Sequence, residues 1–425
     1  MRLLYVIHQF FPDCHSGTEQ YCLAIAREAR RRGDDVTVLS LHWDYGRSKP
    51  AIFLFEQSYD GFRVLRLNHW LEVNPNSSLR DYENLHLEGW FRRVFEGVRP
   101  HAVHFFHLRQ LGSHLISLAR RLGARTVVSL TDFWFLCPRF TLLRSDGRLC
   151  QGPPDGGLGC VACDQPDLVG VDPDDGPASA VWSPGARAKA LLDRPRVQRE
   201  QLLQADVVFA PSRFLADMFV RNGFDHPEML VVPYGLEPGR IDHLETSRPR
   251  SPLRLGFCGV LSPWKAPHLV IEAVQHVRSP LSLSIHGRLE EPMFADYIAG
   301  LQRSAQADAR IRFAGAYGAA DASSVFAEMD VLVVPSIWYE NTPFVVLEAF
   351  AAGVPVIASD LGGLSEVVIE GKNGALFQPG NARSLAEAVD RVASRPAWFG
   401  PSDFASVGGN AEAYSSFRAA YSSHG

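Results

Sequence analysis

The stretch VLVVPSIWYENTPFVVLEAFAAGVPVIASDLGGLSE, residues 331–366, decides how this chain folds. Its apolar opening, 331–334, is short enough for a strand buried on both faces. A loop follows, 335–341, with two large aromatics and one carboxylate. Thr342 then suits a helix N-cap and Pro343 the first helical position, where its missing N–H would have had no partner anyway. The helix runs through Glu348 to about Ala352, where Gly353 supplies a left-handed stop and Pro355 forbids continuation. A second buried strand, 354–358, leads into Gly362-Gly363 and another helix start at Leu364. This order predicts two helix N-termini converging at the C-terminal ends of parallel strands. Open α/β sheets bind ligands at that edge, and bare N–H groups there favour anions.

Glu340 and Glu348 stand with seven residues between them, one in the loop and one over a turn into the helix. Such a pair suits the two ends of a nucleotide sugar. The loop carboxylate would take sugar hydroxyls and the helix carboxylate a ribose diol, while the helix start, Asn341-Thr342-Pro343-Phe344, faces the diphosphate. Taken alone, the two glutamates read equally as surface carboxylates on an ordinary Rossmann-like unit. Set in this order and followed by GVPVIASDLGGLSEVV, the segment resembles the E-x7-E region of the large family of retaining, GT-B-fold glycosyltransferases that includes sucrose synthases and bacterial mannosyltransferases. The resemblance implies an α/β fold of two Rossmann-like domains facing a central cleft, with a C-terminal helix crossing back to the N-terminal domain. It implies transfer of a sugar from a UDP- or GDP-linked donor to a hydroxyl acceptor, lipid-linked or glycan, with retention at the anomeric carbon and no cofactor for the chemistry.

The whole chain sets bounds on this. At 425 residues it fits two α/β domains: 1–237, a linker 238–252, a nucleotide-sugar domain 253–395 and a tail 396–425. A net charge of −5 makes no case for a nucleic-acid partner, and 46% hydrophobic content is that of a globular protein. The Gly/Pro/Asp-rich region 151–186 is the one candidate for disorder, and no window of 18 apolar residues spans a membrane. The opening MRLLYVIHQFFP reads as a first strand rather than a signal peptide, and seven cysteines argue for a reducing cytosol. Arg27, Arg30, Arg31 and Arg32 form a basic helix end. The helix dipole explains it; a patch for anionic lipid, with peripheral contact at the inner membrane face, is the other reading.

In the N-terminal half, 3–7 is a strand, 21–32 an amphipathic helix ending at Gly33, and 35–40 a second strand. Ser16-Gly17-Thr18-Glu19 stands where the family has Gly-Gly-x-Glu. Gly17, with Thr18 beside it, would let backbone approach the donor's diphosphate; a turn glycine without a ligand is the alternative. Residues 62–67 and 102–106 read as strands, and 87–98 and 112–122 as helices. After the strand 126–130 comes Thr131-Asp132, where the family usually reads His-Asp. Asp132 would orient an acceptor hydroxyl or support charge at the anomeric carbon, or it caps the next loop.

Cys137, Cys150, Cys160 and Cys163 form C-x12-C-x9-C-x2-C. Four thiolates favour a structural zinc over hard cations; free thiols or a redox disulfide are the alternatives. The segment is similar to a cysteine-rich insertion in a subset of bacterial family members. Cys14, Cys22 and Cys258 read as ordinary thiols, and Ser212 as the cap of a helix. In the second half the strand 253–257 leads into Gly259-Val260-Leu261-Ser262-Pro263-Trp264-Lys265-Ala266. The family commonly has an arginine after that glycine, a lysine five residues later and a glycine after the lysine. Gly259 and Lys265 match, whereas Val260 and Ala266 depart, so one ammonium group would neutralise the leaving diphosphate, with Arg288 a candidate to help. A nucleotide-sugar epimerase or hydrolase, and a non-catalytic binding protein, are the competing functions for this fold.

Overall fold

A computed structural model describes residues 1–14, 16–42, 52–68, 78–174, 183–237, 239–242, 251–394 and 408–422. Its strands form two sheets in two units, Met1–Pro233 with Asn410–Gly425, and Tyr234–Gly409. In the first unit β1 (Arg2–Ile7), β2 (Asp35–His42), β3 (Phe53–Tyr59), β4 (Phe62–Asn68), β5 (Ala102–His107), β6 (Arg125–Ser129), β7 (Val207–Ala210) and β8 (Met229–Val231) lie in the order β3-β4-β2-β1-β5-β6-β7-β8. Neighbours pair in parallel except β3 and β4, a hairpin turned at Asp60-Gly61, both with positive φ. Asp-Gly between two strands is a strong hairpin signal, and reading only 62–67 as a strand passes over it. The winding reverses between β1 and β5, so the loops leaving these strands open on a switch point.

The last helix, Asn410–Ser422, packs on this first unit, as expected. Tyr414 donates to Asp34 Oδ2 at 2.6 Å and Arg418 Nε at 2.9 Å, while the Tyr421 hydroxyl lies 2.6 Å from His104 Nδ1. Phe417 sits edge-on to Phe209 with centroids 4.5 Å apart. Residues 395–407 and 423–425, half of the expected tail, lie outside the described residues.

In the second unit β9 (Leu253–Cys258), β10 (Leu281–His286), β11 (Ile311–Gly315), β12 (Val331–Val334), β13 (Val356–Ser359) and β14 (Gly374–Phe377) are all parallel, in the order β11-β10-β9-β12-β13-β14. β12 is covered on both faces. Val331 and Val333 join a core with Leu255 and Phe257, and Leu332 and Val334 join another with Val346 and Phe350. Each such burial contributes about 1.5–3 kcal/mol, which is why four apolar residues in a row suffice for a strand. Here the winding reverses between β9 and β12.

Some boundaries differ from the sequence reading. The helix Phe344–Ala352 begins after Pro343, whose ψ of 131° is extended, so Pro343 is the N-cap and Thr342 lies outside the helix. A φ of −65° fits proline in either state, and only ψ decides. Gly353 ends this helix at φ 78°, as expected. The first helix is Gly17–Arg31, four residues earlier at its start, and Ser212 caps its helix through Leu215 N–H at 3.1 Å. The chain from Tyr234 goes with the second unit; of the expected linker, 238 and 243–250 lie outside the described residues. Of 151–186 the structure describes a helix Leu158–Asp164 and the start of another, Pro184–Leu202, while 175–182 lie outside the described residues. Among the described residues no helix is long and apolar enough to cross a membrane.

Candidate active site

The loops 259–266 and 335–343 leave neighbouring strand ends and are tied together, Ile337 N–H donating to Trp264 O at 2.9 Å. Lys265 Nζ lies 2.6 Å from Glu340 Oε1. The same oxygen accepts Ser336 Oγ at 2.7 Å and Trp338 Nε1 at 2.8 Å. Three donors on one oxygen fix a carboxylate that is only 4% exposed, and Oε2 accepts nothing from the described residues. Lys265 uses one of its three N–H groups here and keeps two. Ala266, where the family has glycine, sits at φ 52° and fully buried, a left-handed position that costs a β-carbon ~1 kcal/mol. Val260 is half exposed, and Arg288 is exposed with no polar partner among the described residues.

Glu348 lies on the adjoining helix and is also buried. Burial pushes its carboxyl up from the ordinary range, and Arg240 opposes that shift without cancelling it. Arg240 donates from Nε at 2.9 Å and approaches through Nη2 at 2.6 Å, both to Oε1. Phe344, at the start of the same helix, stacks on Tyr234 with centroids 5.3 Å apart and planes at 9°. Gly363 N–H donates to Glu340 O at 2.8 Å, closing the next turn onto this loop. Thus Lys265 meets Glu340, whereas Glu348 has its own cation, which the sequence reading did not single out.

In the first unit Asp132 follows β6. Its Oδ1 accepts Trp134 N–H at 2.8 Å, so it does cap the next loop, and its Oδ2 lies 3.0 Å from His107 Nε2. His107 Nδ1 accepts Arg109 N–H at 3.2 Å, which puts the ring proton on Nε2, aimed at Asp132. The His8 ring lies 4.2 Å from His107, and burial, then His107 and Arg109, hold His8 well below the usual imidazole range. Thr131 Oγ1 donates to Phe106 O at 3.3 Å. The imidazole beside Asp132 therefore comes from the neighbouring strand β5. A histidine at a strand end was the available signal, and its pairing with Asp132 needed the sheet order. Gly17 and Thr18 lie in the first turn of a helix, and Gly17 is not at positive φ, so no left-handed turn requires a glycine there.

A family model described as Glycosyl transferase 4-like domain matches residues 16–235, more than half of the chain, and one described as Glycosyl transferases group 1 matches residues 252–395. The chain belongs to the glycosyl transferase 4-like family, with a group 1 glycosyl transferase domain following. The D-inositol 3-phosphate glycosyltransferase of Frankia alni is 28% identical over 242 residues, 50% of this chain and 57% of that protein. The chain spans about half the length of the curated relatives it matches. Sucrose-phosphate synthase from Thermosynechococcus elongatus shares the fold at TM-score 0.67 and 17% identity, over 99% of this chain and 96% of that one. HepE from Anabaena, solved with UDP and glucose, does so at TM-score 0.63 and 18% identity, over 98% and 95%. The fold of this glycosyl transferase family member is GT-B.

Two further expectations concern the cysteines and the basic helix end of this family member. Cys160 is pushed up to about 12 by burial and then by Cys137, Cys150 and Cys163, so the four thiols are neighbours. Yet Cys150 donates to Gly152 O at 2.9 Å and Cys163 accepts Ser145 N–H at 3.4 Å. Among the described residues no three His, Cys, Asp or Glu side chains form a set able to hold a metal, so the cysteines do not stand as a ready-made tetrahedral centre. The basic helix end is matched by carboxylates of its own unit. Arg27 and Arg30 pair with Asp60 at 2.8 and 3.6 Å, and Arg31 and Arg32 with Glu28 at 2.5 and 3.0 Å.

Proposed function

We propose that this protein transfers a sugar from a nucleoside diphosphate to a hydroxyl acceptor with retention at the anomeric carbon. The observation that carries it is a feature shared by Glu340 and Glu348. Each is buried, each is anchored through Oε1, and each keeps Oε2 for a ligand. Glu340 takes sugar hydroxyls, Glu348 takes the ribose diol, and the two remaining N–H groups of Lys265 take the diphosphate as negative charge develops on it. Both oxygens of Asp132 already hold a donor, which suits a group that orients an acceptor rather than one that attacks carbon. The leaving diphosphate then receives the proton of the incoming hydroxyl, on the face it departs from. The UDP and glucose held by HepE and the glycosyltransferase activity named for the Frankia protein support the reading. Synthesis of a glycolipid or polysaccharide in the cytosol is the setting it implies.

The test is incubation with UDP-, GDP- and ADP-sugars, with and without polyol, glycan and lipid-linked acceptors. Acceptor-dependent release of nucleoside diphosphate, with an α-linked product from an α-linked donor by NMR, supports transfer with retention. Free sugar or an epimerised donor without acceptor marks the hydrolase or epimerase reading, and donor binding without turnover marks a binding protein.

We further propose that the four cysteines close on a structural zinc when Cys150 and Cys163 turn from their backbone partners, since four thiolates are a soft set suited to that ion. One zinc per chain in protein purified without chelator supports this. Four freely titrating thiols and no zinc would end it.

A further inference from the structure

Residues 234–242 enter the second unit ahead of β9 and are fastened to the helix that carries Glu348. Tyr234 stacks on Phe344, Ile241 packs on the core holding Val346 and Phe350, and Arg240 closes on Glu348. Phe344 and Glu348 are four residues apart and share a helix face. The side chain of Arg240 is 22% exposed and that of Glu348 8%. An arginine that serves only to pair a carboxylate commonly meets it fork to fork, one nitrogen on each oxygen. Here Nε and Nη2 both take Oε1, and Oε2 accepts nothing from the described residues.

We propose that Arg240 is a positioning residue for the nucleoside: by donating from Nε to Oε1 with Nη2 against the same oxygen, it sets the plane of the Glu348 carboxylate and turns Oε2 toward the ribose diol. This rests on Glu348 being the ribose ligand. The torsion that orients a glutamate carboxylate is soft, so an unpinned Glu348 would sample many planes. The other groups whose charge Glu348 feels are Cys258 and Tyr317, which hydrogen-bond to each other. Burial pushes both up, Cys258 to about 12, so both are neutral near pH 7 and, among the described residues, Arg240 is the one cation facing this carboxylate. Without it, the buried carboxyl gains a proton more readily and offers the diol one acceptor oxygen in place of two.

The test uses the full chain and whichever of UDP, GDP and ADP binds most tightly, against its 2′,3′-dideoxy analogue, by calorimetry from pH 6 to 8. A charged acceptor on the diol contributes about tenfold or more to affinity, so the native protein should prefer the ribonucleotide by that factor at every pH. Arg240→Gln should bring the preference to about threefold or less and make ribonucleotide binding weaken toward pH 6. Arg240→Lys keeps the charge on a single donor group. It should restore the flat pH profile while leaving the preference reduced, and it serves also if the glutamine variant does not fold. A preference and pH profile unchanged in Arg240→Gln, or full preference in Arg240→Lys, overturns the proposal. Glu348→Gln separates the two ideas: if it keeps the ribose preference, the assignment of Glu348 itself has failed, whereas loss there with retention in Arg240→Gln refutes only the role of Arg240.

Discussion

A Cβ built on Gly363 falls 1.5 Å from the carbonyl oxygen of Asn341, 2.6 Å from its carbonyl carbon and 2.9 Å from the oxygen of Glu340. All three are backbone atoms of the loop that presents Glu340, so no side-chain rotation makes room. The backbone of Gly363, at φ −67° and ψ −15°, is one any residue adopts, and the position demands glycine on space alone. Opening the nearest gap from 1.5 Å to 3.0 Å, the least a real Cβ accepts, displaces the loop or the turn by about 1.5 Å. A misplacement of about 1 Å in a catalytic group can cost ~10²-fold in rate, so Gly363→Ala should lower kcat/KM at least that much, about 2.7 kcal/mol of transition-state stabilisation. Gly380→Ala is the control. It sits at φ 73° with nothing within 4 Å, and it should lose ~1 kcal/mol of stability while leaving the rate unchanged. Both variants would be assayed for release of nucleoside diphosphate, with melting followed separately. A folded Gly363→Ala protein within threefold of native kcat/KM would show that the loop bearing Glu340 is not where the donor reacts.

Lys265→Ala should lower turnover by at least ~10²-fold if the ammonium group stabilises leaving-group charge. Ser336 and Trp338 still hold Glu340 in that variant, so a large fall in melting temperature is not expected, and near-normal turnover removes Lys265 from the mechanism. Acid should weaken the first unit through its buried histidines. Burial lowers His104 to about 3 and His114 to about 4, and holds His8 well below 6.5. Below about pH 6.5 the unfolded chain binds protons that the native imidazoles refuse, so stability is fully present above that pH and falls as pH drops toward 3, by up to ~1.4 kcal/mol per pH unit for each histidine. The melting temperature of His104→Asn should therefore depend less steeply on pH between 6.5 and 4.5. A slope equal to the native one refutes the linkage.

Local physics made much of the second unit legible from its residues. Four apolar residues with no polar break specify a strand covered on both faces, and Gly353 stops the Glu348 helix because only a left-handed residue fits there. Gly259 and Lys265 were readable as a turn and a cation at a strand end. Asp132 was readable as a loop cap, since an aspartate bonds the N–H two residues on. Other choices belong to packing. Thr342 reads as the cap and Pro343 as the first helical residue, and the extended ψ of Pro343 moves the cap one residue on. The spacing of the cysteines is written in the chain, but the direction of each sulfur is set by the backbone groups around it.

Lys265 meets Glu340 across 75 residues, Arg240 meets Glu348 across 108, and His107 meets Asp132 across 25. What the chain determined by itself is which segments are strands and helices and which residues stand at their ends, because burial and backbone preference act over a few neighbours. Which ends face each other was decided only in three dimensions, where β9 lies beside β12 and β5 beside β6. Strand order follows from how helices cover both faces of a sheet, and no short stretch of sequence carries that information.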